Sequence, residues 1–176
     1  MVKMYKLVVN EDEARWYDIR FTDKDVAVKA VKEAMRQMSQ NGYQELDCLE
    51  YCEPSCGSGV FIDSLLDYDR WIHVEGYELS KTICQWLGEK YDSRHRVDIS
   101  NEDFLLTSTD EKYDVIIGSP PKHLITQFIN HALKKLYSNS SILCFVLPID
   151  VDTSKWRVVK EFTNVSDKSK TTLFST

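Results

Sequence analysis

The longest amphipathic segment of the chain lies between residues 23 and 40. Its apolar side chains recur three and four positions apart, the spacing that places them on one face of an α-helix: Val26, Ala27, Ala30, Val31, Ala34, Met35 and Met38. Thr22 or Asp23 can cap the start of this helix, and Asn41-Gly42 can end it. The pattern therefore predicts one long helix with a buried stripe, ahead of the remaining elements.

Short apolar runs and amphipathic segments alternate along the rest of the chain. The apolar runs predict strands at residues 46–52, 73–77, 96–99, 113–118 and 141–147, and residues 1–9 predict an edge strand. The amphipathic segments predict helices at residues 60–66, 81–91 with Ser80 as the cap, and 124–136. This alternation predicts an α/β fold with a mostly parallel central sheet and helices on both faces. Ligands of such sheets bind at the carboxyl ends of the strands.

The length and composition of the chain fit one globular domain. Its 176 residues are 43% hydrophobic and 28% charged, and both fractions are ordinary for a soluble protein. No apolar run approaches the roughly 20 residues of a membrane span, and the N-terminus lacks a signal-peptide core. We therefore expect a single domain over residues 1–176, with no membrane partner and a cytoplasmic localisation.

The cysteines do not form the pattern of a metal site. Their odd number and scattered positions predict reduced thiols: Cys48, Cys52, Cys56, Cys84 and Cys144. The first three recur every fourth residue, but a strand that runs into a loop does not gather thiols at that spacing. No C-x-x-C pair or histidine cluster completes a site, so we expect no metal.

The net charge of −6 is unevenly distributed. Residues 153–176 carry five basic side chains against Glu161 and Asp167, a net charge of +3. The acidic remainder disfavours non-specific nucleic-acid binding by bulk electrostatics. The basic end has two interpretations, a solvated surface tail or a surface that follows a phosphate backbone or an acidic partner.

Residues 53–61, Glu-Pro-Ser-Cys-Gly-Ser-Gly-Val-Phe, run from a predicted strand into a predicted helix. Gly57 and Gly59 let the backbone approach a ligand closely. No Lys-Ser/Thr pair follows, so the segment is not a triphosphate P-loop, and two glycines make a poor pyrophosphate fingerprint. Glu78 ends the second predicted strand nineteen residues after Gly59. A dinucleotide-type fold places an acidic residue there to bind ribose hydroxyls.

The whole string resembles the S-adenosylmethionine (SAM) motif D/E-P-x-x-G-x-G-x-F of amino-methylating nucleic-acid methyltransferases. These are class I SAM-dependent enzymes with a Rossmann-like fold, and the resemblance covers roughly residues 21–148. It implies SAM as the cofactor, with Asp103 on the adenine amino group and Phe104 against the ring. The full set of implied cofactor-binding residues is Phe21, Thr22, Glu53, Pro54, Ser55, Cys56, Gly57, Gly59, Glu78, Leu79, Asp103, Phe104 and Ser119.

A second segment, Ser119-Pro120-Pro121-Lys122, follows the fourth predicted strand, where this family carries an N/D/S-P-P-aromatic loop. The exocyclic amine of adenine or cytosine is a poor nucleophile because its lone pair is delocalised into the ring. In the family, a side-chain oxygen and a carbonyl near the prolines accept its N–H bonds and aim the lone pair at the sulfonium methyl. The resemblance thus implies methyl transfer to adenine N6 or cytosine N4, with these four residues as the catalytic loop.

Lys122 departs from the family pattern. The family carries an aromatic residue at this position, which stacks on a flipped base. Losing such stacking costs about 1–3 kcal/mol per base. Lys122 could instead reach a phosphate, or His123 could supply a flat surface. The alternative is a catalytically inactive methyltransferase-fold subunit of a complex that binds SAM or a partner. A methyltransferase for proteins or small molecules is a third interpretation.

The C-terminal length bears on how a substrate is selected. Only 28 residues follow Pro148, enough for a closing hairpin but too few for a separate target-recognition domain. The resemblance implies that the substrate is a nucleic acid, with DNA favoured over RNA. We expect its selection to depend on a partner protein or on shape alone.

Overall fold

The computed structural model of the chain describes residues 21–43, 49–94, 96–164 and 166–176. The edge strand predicted at residues 1–9, the first part of the strand predicted at residues 46–52 and Cys48 lie outside the described residues. Among the helices that the structure describes, none combines the length and the apolar character that crossing a membrane requires.

Helices and strands alternate along the described residues as far as β5. The elements are α1 (Lys24–Gln40), β1 (Glu50–Glu53), α2 (Val60–Tyr68), β2 (His73–Tyr77), α3 (Lys81–Tyr91), β3 (Val97–Ser100), β4 (Val115–Gly118), α4 (Ile125–Lys134), β5 (Ile142–Pro148), β6 (Val158–Asn164) and β7 (Ser169–Phe174). Single 3-10 turns lie at Phe104–Leu106 and Lys122–Leu124. Most predicted boundaries agree within two residues. The largest differences for the helices are at the C-termini of α2 and α4.

The strands form one sheet in the order β3-β2-β1-β4-β5-β7-β6. The first five strands in this order are parallel, and β7 and β6 are added antiparallel. Side chains alternate between the two faces along each strand. Tyr51 therefore packs in the core under α1, α2 and α3, whereas Cys52 packs in the core under α4. The predicted α/β fold with a mostly parallel sheet and helices on both faces is confirmed.

The stripe predicted on α1 is buried throughout. All seven of its side chains are at most 2% exposed, and they pack over α2 and β5. Asp23 precedes the helix, but its side chain makes no capping hydrogen bond. The helix is therefore held by burial of its apolar face, which is the usual source of helix stability in proteins.

The C-terminal end of the chain is a β-hairpin, and its interpretation as a solvated tail is wrong. Strand β7 is buried along its whole length between β5 and β6. Its Lys170 Nζ donates to Val151 O at 2.7 Å and lies 3.2 Å from Glu161 Oε2. Lys160 on β6 pairs with Glu33 of α1 at 2.8 Å. Two of the basic side chains of this end, Lys160 and Lys170, therefore form ion pairs within the fold.

Candidate active site

The carboxyl ends of β1 and β4 meet where the strand order reverses. From β1 the chain adds β2 and β3 on one side of the sheet, and then β4 and β5 on the other. Strand β1 leads into the glycine loop, residues 54–59, and β4 leads into the serine-proline loop, residues 119–122. Open parallel sheets bind ligands at such a point. This end of the sheet is therefore the candidate site.

Gly57 leaves open space at the turn from β1 into α2. It has a φ of +50°, a region where a residue with a Cβ is strained. A Cβ on Gly57 would lie 3.6 Å from the ring of Phe21. Phe21, Thr22 and Gly57 together line a small cleft. A side chain at position 57 would therefore project into this cleft.

Side chains of α3 pack so closely against position 59 that only a glycine fits there. A Cβ there would lie 2.5 Å from Tyr91 Oη and 2.9 Å from Leu87 Cδ2. Tyr91 Oη donates to Gly59 O at 3.0 Å, and Lys90 Nζ donates to Ser58 O at 3.0 Å. Gly59 is the one residue of the predicted site that lines neither the small cleft nor the larger cavity that adjoins it. Its contact with a cofactor stays a prediction.

The Gly59→Ala substitution is expected to destabilise the fold by about 2–5 kcal/mol. Gly59 has a φ of +70°, where a Cβ costs about 1–2 kcal/mol, and overpacking against Tyr91 adds about 1–3 kcal/mol. Denaturant unfolding monitored by tryptophan fluorescence measures the change. Gly88→Ala is the matched control, because nothing lies within 4 Å of a Cβ at this α3 position. It should stabilise the protein by up to about 1 kcal/mol. Equal stability of the two variants would contradict the packing argument.

Glu78 connects the end of β2 to the glycine loop. Its Oε2 accepts from the Gly57 N–H and its Oε1 from the Ser80 N–H, both at 2.8 Å. The Asn101 side chain donates to the carbonyls of Glu78 and Leu79 at 2.8 and 3.1 Å. Glu78 is only 8% exposed, yet it lines the larger of the two cavities. This arrangement presents a fixed carboxylate to the larger cavity.

Glu53 carries a buried carboxylate oxygen at the small cleft. The residue is 1% exposed, and its Oε2 has no hydrogen-bond partner among the described residues. Burial raises the pKa of this carboxyl well above its ordinary value, a hydrogen bond from the Ile62 N–H partly opposes the rise, and the charge of Glu78 adds to it. A buried polar atom without a partner is costly. This buried acceptor therefore fits a cationic amine donor, such as the amino group of methionine in SAM.

A larger cavity of about 250 Å³ opens beside this cleft. Its walls come from the glycine loop, the ends of β2, β3 and β5, the serine-proline loop and α4. They are formed by Pro54, Ser55, Gly57, Glu78, Leu79, Ile83, Glu102, Asp103, Phe104, Ser119, Pro120, Pro121, Lys122, His123, Leu124, Phe128 and Pro148. Ser55, Gly57 and Ser119 line both cavities. The two spaces therefore adjoin at these three residues.

Asp103 and Phe104 form one wall of the large cavity. Asp103 Oδ1 accepts from the Leu105 N–H at 2.9 Å, which orients the carboxylate at the start of the 3-10 turn. Phe104 is 1% exposed and packs against the rings of Tyr77 and Phe128, with centroids 5.6 Å apart in each case. The wall thus combines a carboxylate held by a backbone hydrogen bond with a rigid aromatic ring.

The serine-proline loop is held by two hydrogen bonds of its serine. Ser55 Oγ donates to Ser119 O, and Ser119 Oγ donates to Val146 O, both at 3.1 Å. The hydroxyl proton of Ser119 is therefore committed to a backbone carbonyl, and its oxygen lone pairs remain to accept hydrogen bonds. Pro120 is buried, whereas Lys122 and His123 are exposed and begin the 3-10 turn before α4.

Several wall residues were not predicted from the sequence. No residue of α4 or β5 was predicted to belong to the site, but Phe128 and Pro148 both line the large cavity. Ile83 and Glu102 had not been assigned to the site, although they also line it. The position of Pro148 at the carboxyl end of β5 was the available signal, because β5 neighbours β4. For Phe128 the helical spacing alone did not distinguish a core side chain from one that also reaches a cavity.

Comparison with known proteins identifies methyltransferases as relatives. The chain is 26% identical over 146 residues to the modification methylase CviBIII of Paramecium bursaria Chlorella virus NC1A, covering 73% of this chain and 38% of that protein. It is 31% identical over 88 residues to the type II methyltransferase M.AccI of Acinetobacter calcoaceticus, covering 49% and 16%. The chain thus spans less than two fifths of the length of either relative. No protein-family model matches the sequence.

Solved structures share the fold at low identity. A Pyrococcus horikoshii protein described as a candidate RNA methyltransferase aligns with a TM-score of 0.74 at 14% identity, covering 98% of this chain and 92% of its own. The N-methyltransferase NodS from Bradyrhizobium japonicum WM9, in complex with S-adenosylhomocysteine, aligns with a TM-score of 0.64 at 16% identity, covering 94% and 92%. The resemblance to methyltransferases is therefore confirmed at the level of the fold and of the relatives: the chain has the Rossmann-like fold of class I SAM-dependent methyltransferases, and the curated proteins that it matches are methyltransferases.

Proposed function

We propose that the chain binds SAM and transfers its methyl group to an exocyclic amine of a nucleic-acid base, adenine N6 or cytosine N4. One observation carries this proposal. A small cleft and a larger cavity adjoin at Ser55, Gly57 and Ser119, and the cleft holds a buried Glu53 oxygen that has no partner among the described residues. A SAM molecule that spans this junction, with its methionine part in the cleft and its adenosine part in the larger cavity, would carry its methyl group close to Ser119.

The residues of the site divide into those that bind the cofactor and those that orient the amine. When bound, SAM supplies a methyl group activated by the sulfonium charge. Glu53 would accept from its amino group, Glu78 from its ribose hydroxyls and Asp103 from its adenine amino group. Each of these carboxylates lines one of the two cavities, and the Phe104 ring forms the apolar wall beside Asp103.

The serine-proline loop would activate the amine. The Ser119 oxygen, whose own proton is directed at Val146 O, accepts one N–H bond of the target amine. A backbone carbonyl near Pro120 accepts the second, which localises the nitrogen lone pair. Hydrogen bonds to a group that gains positive charge contribute about 1.5–3 kcal/mol each. Ser119 and Pro120 are therefore assigned to orienting the nucleophile. The N–C bond would form as the bond between the sulfonium sulfur and the methyl group breaks, and the surplus proton of the methylated amine would pass to solvent.

The nature of the relatives favours DNA over RNA as the substrate, since they are a modification methylase and a type II methyltransferase.

A second candidate function is a methyltransferase-fold subunit that binds SAM without catalysis. It is favoured by Lys122, which lies exposed on the cavity wall at the position where the family carries an aromatic residue. A lysine lacks the π-face on which a base stacks. Lys122→Tyr restores that face and should raise the transfer rate of an active protein, whereas an inactive subunit should not respond to it.

Two measurements test the proposal: calorimetric titration with S-adenosylhomocysteine, and transfer of a labelled methyl group from SAM to pools of DNA, RNA and protein. We expect the protein to bind the ligand. After digestion of the nucleic acid, we expect the label to co-elute with N6-methyladenine or N4-methylcytosine. Binding without transfer to any pool favours the second candidate. Label in protein alone contradicts the proposed substrate. If the protein does not bind S-adenosylhomocysteine, the proposed function is wrong and only the assignment of the fold remains.

A further inference from the structure

A lysine lies fully buried behind the wall that Phe104 forms. The side chain of Lys135, the residue that follows α4, is 0% exposed. Burying an ammonium group is costly unless its N–H donors are satisfied. Here the three donors have three acceptors, Thr107 Oγ1 at 2.9 Å, Ser108 O at 2.7 Å and Glu111 Oε2 at 3.0 Å. The ammonium group is thus anchored to the segment that follows Phe104.

Aromatic rings surround the same ammonium group. Its nitrogen lies 5.6 Å from the ring centroid of Phe104, 5.9 Å from that of Tyr77 and 5.5 Å from that of Tyr113. Cations within about 6 Å of a ring face are attracted to it. The hydroxyls of Tyr77 and Tyr113 donate to the two carboxylate oxygens of Glu75 at 2.8 and 2.6 Å. Two of the three rings are therefore fixed independently of Lys135.

Residues 103–108 are tied at both ends. At the start, Asp103 Oδ1 accepts from the Leu105 N–H. At the end, Thr107 Oγ1 donates to Phe104 O at 2.7 Å and accepts from Lys135 Nζ. Both Asp103 and Phe104 line the large cavity, whereas Lys135 lines neither cavity. Lys135 can therefore act on a ligand only through this segment.

We propose that Lys135 is a positioning residue for adenine recognition. Its ammonium group fixes residues 103–108, so that Asp103 and Phe104 keep the geometry in which they bind the adenine of SAM. This inference rests on the proposed function, which assigns those two residues to adenine. It predicts that Lys135 controls discrimination at the adenine amino group.

The test compares S-adenosylhomocysteine with S-inosylhomocysteine, in which a carbonyl replaces the adenine amino group. A carboxylate that accepts from the amino group disfavours the carbonyl. We therefore expect the wild-type protein to bind the adenosyl ligand roughly 10- to 100-fold more tightly. Lys135→Met removes the ammonium group and keeps an unbranched chain. It should reduce this ratio about tenfold. Lys134→Met makes the same change at the exposed neighbouring residue and should leave the ratio unchanged.

The ratio of the two dissociation constants separates positioning from a general loss of stability. A partly unfolded variant binds both ligands less well by the same factor, which leaves the ratio unchanged. An unchanged ratio in Lys135→Met, or a wild-type ratio near one, overturns the inference. If Lys135→Met does not fold, Thr107→Val decides by the same criterion, since it removes one of the three acceptors. Failure of the wild-type protein to bind either ligand overturns the proposed function, and this inference with it.

Discussion

Gly57→Val is expected to weaken binding of S-adenosylhomocysteine by roughly 100-fold or more, or about 3 kcal/mol. The Cβ would point toward the ring of Phe21 at 3.6 Å, which is an ordinary contact. The two methyl groups beyond it would occupy the cleft beside Glu53 and displace the ligand. Calorimetric titration of purified protein measures the change in the dissociation constant.

The backbone strain of this substitution needs its own control. Gly42 also has a positive φ, +98°, and nothing lies within 4 Å of a Cβ placed there. Gly42→Val, beyond the end of α1, therefore introduces a β-branched residue at positive φ without filling the cleft. It should lower stability but retain the wild-type affinity. If a folded Gly57→Val protein bound the ligand as tightly as Gly42→Val does, the assignment of the glycine loop to the cofactor would be wrong.

Ser119→Ala is expected to slow methyl transfer by roughly 10- to 100-fold, since one hydrogen bond to the activated amine contributes about 1.5–3 kcal/mol. The acceptor oxygen is lost, whereas the carboxylates of Glu53, Glu78 and Asp103 that are assigned to SAM are unchanged. The affinity for S-adenosylhomocysteine should therefore change by less than about threefold, a small effect on the scale of 1.4 kcal/mol per tenfold change. Single-turnover rates at saturating SAM, on oligonucleotides with adenine or cytosine as the only amine base, measure the effect.

Ser119→Asn is the conservative comparison, because its amide oxygen keeps an acceptor at the position where the family accepts asparagine, aspartate or serine. It should retain more activity than Ser119→Ala. A wild-type rate in Ser119→Ala would remove Ser119 from the reaction. Equal loss in the two variants would instead indicate that the hydrogen bond from Ser119 to Val146 O, rather than an acceptor for the amine, is what the loop requires.

Local patterns determined much of the fold. The stripe on α1 could be predicted because apolar residues at helical spacing must be buried together. Strand β2 and helix α3 were predicted at their observed limits, since an apolar run followed by the cap Ser80 leaves little ambiguity. The N-cap is observed as well, with the Ser80 side chain accepting from the Ile83 N–H. Where only a gradual loss of apolar character marks an end, as in α2, the prediction stopped two residues short.

All the residues predicted for the site except Gly59 line one of the two cavities, because they lie in the two loops, at or just beyond the carboxyl ends of β1, β2 and β3, or just before α1; their binding roles stay predictions. Glu78 illustrates the limit of that information. Its position after β2 was read from spacing, but its hydrogen bonds to the Gly57 and Ser80 N–H groups depend on how two loops meet. The sequence could name the carboxylate but not show that the protein itself orients it.

Tertiary structure alone decided several roles. Gly59 was predicted to approach a ligand, but the space beside it is filled by Tyr91, 32 positions further along the chain. In the sequence Lys135 is one of two consecutive lysines at a helix end, and only the packing of three rings and a distant segment shows that it is buried. The common physical reason is that such contacts join side chains from different elements. Local periodicity specifies which face of an element is buried, whereas the partners across that face are set only when the elements pack together.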